Sequence, residues 1–149
     1  MRKGFTIIEL LIVIAVISIL VGIALPRFKG MRDEGNIAKA KGELRTLQTA
    51  IESYRIHNGA YPAAAGWQTT LLSAKPQIIS AAMVDPFGLA SAQYVLVLSN
   101  DTTGHFYAIY SVGPVAGASV TAVDDITGVA TESAPTCIYV SNGTPDTTP

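Results

Sequence analysis

The sequence predicts an α+β protein in which a long N-terminal helix packs on a small C-terminal antiparallel sheet. Two observations lead to this prediction. Apolar patterns of helical character fill the first 58 residues, and β-branched or aromatic runs separated by turn-forming residues follow after residue 90. With 149 residues, the chain has room for one domain and its extensions.

The predicted helix begins with an apolar segment long enough to cross a membrane. As a helix, residues 5–25 span roughly 31 Å, and the hydrocarbon core of a bilayer is about 30 Å thick. The run is interrupted only by Thr6, Glu9, Ser18 and Gly22. A basic tip precedes it, so a secretory signal peptide is an alternative, although such signals have an apolar region of about 7–15 residues.

Glu9 is the unusual residue of this segment. A carboxylate inside a membrane helix costs up to about 2.5–3.5 kcal/mol, and less near the end of the helix. Either Glu9 reaches the lipid headgroups, or a positive charge from another copy of the chain neutralises it. A cut after Gly4 would create such a charge at the amino group of Phe5.

The second half of the helix is amphipathic. Pro26 lacks an N–H group and is expected to kink or locally open the helix. Beyond it, apolar residues recur at spacings of three and four, which predicts one buried stripe: Ile37, Ala40, Leu44, Leu47, Ile51 and Tyr54. We expect the stripe to pack on the chain's own head, although a short coiled coil has similar spacing. Asn58-Gly59 is expected to end the helix.

The remaining residues are predicted to form the head. Residues 67–74 are expected to form a short helix, and residues 94–98 and 106–110 a β-hairpin, with a later strand at residues 137–140. The last segment, residues 141–149, is polar and rich in Pro and Thr, which is typical of a frayed tail.

Charge and composition exclude several classes of function. All ten Lys and Arg residues lie at or before Lys75, and the residues after it carry six acids, so nucleic-acid binding by the head is not expected. The single cysteine, Cys137, excludes an internal disulfide and a cysteine-cluster zinc site. There is no glycine-rich phosphate loop, metal-spaced histidine pair or nucleophile beside a base, so we do not expect an enzyme.

Residues 3–26, KGFTIIELLIVIAVISILVGIALP, resemble the N-terminus of type IV pilins and type II secretion pseudopilins. In that family a membrane aspartyl protease cuts after the glycine, here Gly4, and N-methylates the next residue, here Phe5. The glutamate five places into the mature chain, here Glu9, directs assembly. The resemblance implies four parts: a leader at residues 1–4, a transmembrane and filament-core helix at 5–25, an amphipathic helix at 26–58 and a head at 59–149.

The same resemblance implies the location and partners of the chain. The precursor would be a single-pass inner-membrane protein with a cytoplasmic N-terminus, and the mature chain a periplasmic pseudopilus or extracellular filament. Other copies of the chain, membrane lipid, prepilin peptidase, an inner-membrane assembly platform with its ATPase, and minor pseudopilins are the implied partners.

Three short segments of the head resemble the major pseudopilin of type II secretion: Asp85-Pro86-Phe87-Gly88, Tyr110-Ser111-Val112-Gly113-Pro114 and Asp124-Asp125-Ile126. In that family a calcium ion orders the loop between the last two segments, which makes Asp124 and Asp125 candidate ligands for Ca²⁺. In the family an acidic run usually follows the second segment, but here its place is taken by PVAGAS. The alternative is that Asp124 and Asp125 are two solvated carboxylates of a turn.

Three functions therefore stand as hypotheses. The first is a structural subunit of a type II secretion pseudopilus, and it is favoured because a lone cysteine cannot close the disulfide loop of many surface pilins. The second is the major subunit of a surface type IV pilus for adhesion, motility or DNA uptake. The third is a secreted globular binding module with an ordinary signal peptide.

Overall fold

A single helix, α1, runs from Ile7 to Asn58 in the computed structural model and contributes to two compact units. The N-terminal unit ends at Gly35, and the head unit begins at Asn36. The structure describes residues 4–100, 105–115, 117–134 and 136–143. The other elements are α2 (Trp67–Ser73), a 3-10 turn (Leu89–Ser91), β1 (Val95–Leu98), β2 (Tyr107–Ser111), β3 (Val120–Val123), β4 (Ala130–Glu132) and β5 (Ile138–Ser141).

In the N-terminal unit, α1 exposes large apolar side chains all round, from Ile7 to Met31. The helix is assigned without a break across Pro26. Because proline has no N–H group, the carbonyl of Gly22 has no donor four residues later. A kink at Pro26 stays a prediction.

In the head unit, α1 buries one stripe against the rest of the head. The buried side chains are Ala40, Leu44, Leu47, Ala50 and Ile51. They share a core with residues of α2 and of the strands, so the stripe packs within the chain, as expected. The helix ends at Asn58, and the N–H of Gly59 bonds the carbonyl of Arg55 at 2.8 Å with φ of +78° at the glycine.

The predicted hairpin and later strand form one antiparallel sheet in the order β1-β2-β5. Leu98 pairs with Tyr107 at the hairpin end, and Ile109 pairs with Val140 on the other side of β2. The polar tail was predicted to begin at residue 141, which is too early. Ser141 is the last residue of β5, and Asn142 accepts a hydrogen bond from the Tyr107 N–H. Residues 144–149 of that tail lie outside the described part of the chain.

A second antiparallel sheet, β3-β4, was not predicted from the sequence. It covers the face of the first sheet that points away from α1, and alternate residues of β2 serve the two faces. Tyr107 and Ile109 lie in the core with α1, whereas Ala108 packs with Val120 and Val123 of β3. The head is therefore three layers, with the three-stranded sheet in the middle.

Candidate processing and assembly site

The start of α1 is a capping box formed by Thr6 and Glu9. The Thr6 hydroxyl accepts a hydrogen bond from the Glu9 N–H at 3.3 Å. In return, Glu9 Oε2 accepts bonds from the Thr6 N–H at 3.1 Å and from the Thr6 hydroxyl at 3.0 Å. The pattern T-x-x-E satisfies donors that the first turn of a helix leaves open. The spacing of three between Thr6 and Glu9 is the sequence signal for this role, which was not among the predictions.

The capping box uses one oxygen of the Glu9 carboxylate. Among the described residues, no hydrogen bond reaches Oε1, and Glu9 is exposed. The carboxylate is therefore oriented by its own chain and retains an oxygen for an external partner. A cation is the partner that would offset the cost of its charge in an apolar surrounding.

The peptide bond between Gly4 and Phe5 lies outside the helix. Gly4, Phe5 and Thr6 have no helical assignment, and α1 begins two residues after Phe5. The side chain of Phe5 is 83% exposed. A protease could reach this bond without unwinding the helix, because exposed segments outside regular structure are the usual sites of cleavage.

The helix that follows is long and apolar enough to cross a membrane. Its polar residue Ser18 bonds the carbonyl of Ile14 at 2.7 Å, so its hydroxyl is satisfied within the helix. Glu9 is therefore the polar residue of this segment whose charge still needs a partner.

In the head, Asp85 joins two of the three segments that the sequence singled out. Its carboxylate accepts bonds from the Ser111 hydroxyl at 2.7 Å and from the Val112 N–H at 3.0 Å. It also accepts a bond from the Phe87 N–H, two residues along its own loop. The side chain is buried, so these bonds offset the cost of removing its charge from water.

Gly113 comes directly after Val112, and its position leaves no room for a side chain. Its φ is +67°, and a Cβ atom there would collide with the carbonyl oxygen of Thr136. The glycine therefore allows the chain to leave β2 close to the segment before β5.

The third segment, Asp124 to Ile126, forms the turn between β3 and β4. Asp124 Oδ1 accepts three bonds, from the Thr127 N–H at 2.7 Å, the Thr127 hydroxyl at 2.8 Å and the Ile126 N–H at 3.0 Å. These bonds, led by those from Thr127, hold the pKa of Asp124 below its ordinary value. Asp125 Oδ1 accepts a bond from the Asn100 N–H at 2.7 Å.

The calcium ligands that the resemblance implies do not fit this arrangement. Calcium takes six to eight oxygen ligands, with carboxylates prominent among them. Here one oxygen each of Asp124 and Asp125 is already bonded to N–H or O–H donors, and Asp85 is bonded elsewhere. Within the described ranges, no three acidic, histidine or cysteine side chains lie close enough to share a metal ion.

Hydrogen bonds between α1 and tyrosines of the head were not predicted from the sequence. Tyr94 donates to Glu43 at 2.6 Å, and Tyr107 donates to Glu52 at 2.9 Å. Tyr61 also donates to Glu52 at 3.2 Å, and its ring meets that of Tyr107 edge-on at 4.8 Å. The partners in the Tyr94–Glu43 and Tyr107–Glu52 bonds lie 51 and 55 positions apart in the chain, so no local pattern could reveal these two bonds.

The comparisons with known proteins agree with this description. Residues 1–25 match the family model of the prokaryotic N-terminal methylation motif. The chain is 28% identical to the type II secretion system core protein G of Escherichia coli, over 76% of this chain and 82% of that protein. The residues up to Asn58 make up less than half of the chain, so this similarity extends into the head.

The chain is thus similar to core protein G of type II secretion over about three quarters of its length, and it carries the methylation motif at its N-terminus. Two further relatives match shorter regions. The core protein G of Pseudomonas aeruginosa is 31% identical over 41% of this chain, and the match spans 43% of that protein's length. The fimbrial protein EcpB of Eikenella corrodens is 47% identical over 39% of this chain and 36% of its own length. No solved structure matches the chain.

Relatives that match about three quarters of the chain include the core proteins G of Pectobacterium carotovorum, Escherichia coli and Vibrio cholerae. The expectation of a structural protein rather than an enzyme is confirmed by these relatives. The roles of Gly4, Phe5 and Glu9 in this chain remain predictions.

Proposed function

We propose that this protein is the major structural subunit of a type II secretion pseudopilus, where it pushes or scaffolds protein export. The observation that carries the proposal is the similarity to core protein G, which extends over about three quarters of the chain. The long exposed apolar helix supplies a surface through which identical subunits can polymerise.

Maturation begins with cleavage between Gly4 and Phe5 by a prepilin peptidase, followed by N-methylation of Phe5. The methylation motif at residues 1–25 and the non-helical backbone at the bond both support this step. The new amino group is a cation at the end of an apolar helix, and it too needs a partner.

Assembly pairs that amino group with Glu9 of a neighbouring subunit. Oε1 of Glu9 bonds none of the described residues, while Thr6 holds Oε2, so the carboxylate is oriented for one external cation. Parallel helices that are shifted axially would repeat this pair along a filament, and each pair would neutralise two costly charges.

The precursor is a single-pass inner-membrane protein, and the mature chain forms a periplasmic filament. The membrane-length helix near the N-terminus supports the first statement, and the secretion relatives support the second. An inner-membrane assembly platform with its ATPase and minor pseudopilins would be the further partners.

The deciding experiment compares the secreted proteins of a deletion strain with those of its parent and of the complemented strain. Loss of particular secreted proteins, with surface filaments intact, supports a pseudopilus. Unchanged secretion with missing filaments supports the second candidate, a surface type IV pilus, which the match with fimbrial protein EcpB favours. Intact mass of the native protein tests maturation, since a chain that starts at methylated Phe5 is expected and one that starts near Leu25 contradicts it.

A further inference from the structure

We propose that the head holds its loops around β3 and β4 by hydrogen bonds among its own residues, in the place of the calcium ion that the family resemblance implies. Three parts of the head are held in this way: the start of the β2–β3 loop, the end of that loop, and the β3–β4 turn. At each of them, side chains of the head accept or donate the hydrogen bonds.

The start of the β2–β3 loop is attached to the buried carboxylate of Asp85. One oxygen accepts the Ser111 hydroxyl and the other accepts the Val112 N–H. The Ser111 hydroxyl in turn accepts the Gly113 N–H at 3.2 Å. A buried carboxylate with several donors fixes backbone strongly, because losing those donors would leave its charge uncompensated.

The end of the same loop is attached to Ser133, which follows β4. The Ser133 hydroxyl accepts the Ser119 N–H at 2.9 Å and the Ser119 hydroxyl at 3.1 Å, and it donates to the Gly117 carbonyl at 3.4 Å. The Ser133 N–H also bonds the Ser119 carbonyl at 2.8 Å. One hydroxyl thus uses its donor and both acceptor positions to hold the end of the β2–β3 loop.

The β3–β4 turn is closed by Asp124, as described above, and tied to the end of β1 by Asp125. The bond from the Asn100 N–H to Asp125 links the turn to the three-stranded sheet. A cation at these two carboxylates would have to displace donors that already point at them, or bind through their remaining oxygens alone.

Thermal unfolding of the full-length protein in detergent micelles, with excess Ca²⁺ and with excess EGTA, tests the proposal. We expect the two melting temperatures to agree within about 1 °C, because a cation that does not bind the folded head cannot stabilise it. Stabilisation by Ca²⁺ of more than a few degrees would overturn the proposal.

Two variants test whether these hydrogen bonds, and not a calcium ion, stabilise the head. Ser133→Ala is expected to lower the melting temperature by about 2–4 °C in both conditions. Thr121→Ala is the matched control, because the Thr121 hydroxyl makes one bond across the same two strands and its loss should matter less. An unchanged melting temperature for Ser133→Ala would contradict the proposal.

Asp124→Asn separates the two explanations further. The amide oxygen of asparagine can accept the same bonds from Ile126 and Thr127, but the variant loses the negative charge. We therefore expect the melting temperature with Ca²⁺ to stay near that of the native sequence. A drop seen with Ca²⁺ and absent with EGTA would indicate a calcium site and overturn the proposal.

Discussion

Glu9 carries a charge at the start of an apolar helix, and its own chain already compensates part of it. Thr6 gives Oε2 two hydrogen bonds, from its N–H and its hydroxyl. This lowers the cost of placing the carboxylate near lipid without removing its need for a cation. The proposed assembly therefore depends on the negative charge of Glu9, whereas the cap at the start of the helix depends only on a side-chain oxygen at this position.

Two substitutions at Glu9 separate the charge from the capping oxygen. Glu9→Val is expected to remain in the membrane and to be excluded from filaments, because the amino group of a neighbouring Phe5 loses its partner. Glu9→Gln is the control: its amide oxygen can still accept from Thr6, yet it should fail in the same way. Membrane fractions and sheared filaments measure both steps. Normal filaments made only of Glu9→Val would contradict the neutralisation argument.

Cys137 is a buried thiol whose reactivity the head suppresses. Burial, followed by the negative charges of Glu132 and Asp85, raises the pKa of Cys137 to about 11. The thiolate is the reactive form, so almost none is present near neutral pH. We expect a thiol reagent at pH 8 to label the unfolded chain rapidly and the native protein slowly. Rapid labelling of the native protein would show that the site is open.

At the scale of elements, the tyrosines of the sheet hold α1 through its carboxylates. Tyr107→Phe removes the bond to Glu52, and a bond to a charged group contributes about 1.5–3 kcal/mol. Tyr110→Phe is the control, because its hydroxyl bonds none of the described side chains and its ring is also partly buried. Thermal unfolding is expected to show a clear loss of stability for the first variant and little for the second. Equal losses would mean that removing either tyrosine hydroxyl has the same effect, and would contradict a specific contribution of the bond to Glu52.

The same links make the head sensitive to alkali. Burial first, and then the neighbouring carboxylates Glu43 and Glu52, raise the pKa values of Tyr94 and Tyr107. In the unfolded chain tyrosines ionise near pH 10, so the unfolded state loses protons that the folded state keeps. Stability is therefore fully present below about pH 10 and falls above it. A melting temperature that stays constant from pH 9 to pH 11 would contradict this assignment.

Some elements could be predicted from local sequence and others could not. The hairpin β1-β2 has long apolar runs on either side of a turn, and it was found. The strands β3 and β4 are only four and three residues long, so their alternating pattern is too short to stand out in the sequence. The link from Asp85 to Ser111 spans 26 positions, and only the fold brings those residues together.

At the scale of the whole molecule, we expect the stability of the head to be independent of the N-terminal unit, because the described residues of both cores lie in the head unit. Its larger core combines residues of α1 from Ala40 onward with α2 and the three-stranded sheet, and its second core lies between the sheets. The earliest residue packed against either core is Ile37. No described residue before Gly35 is a member of either core, so we expect the sequence of the apolar helix to be free for the proposed roles in the membrane and the filament.

This independence predicts where the chain can be shortened. A protein that begins at Asn36 should be soluble without detergent and should melt near the temperature of the full chain, because both cores are complete. A protein that begins at Thr46 loses Ala40 and Leu44 from the core and also the bond between Tyr94 and Glu43. Removing one large buried aliphatic side chain already costs about 2–5 kcal/mol, so this control is expected to unfold. Circular dichroism melts of the two fragments measure the difference, and equal melting of both would show that the first turns of the head helix carry none of its stability.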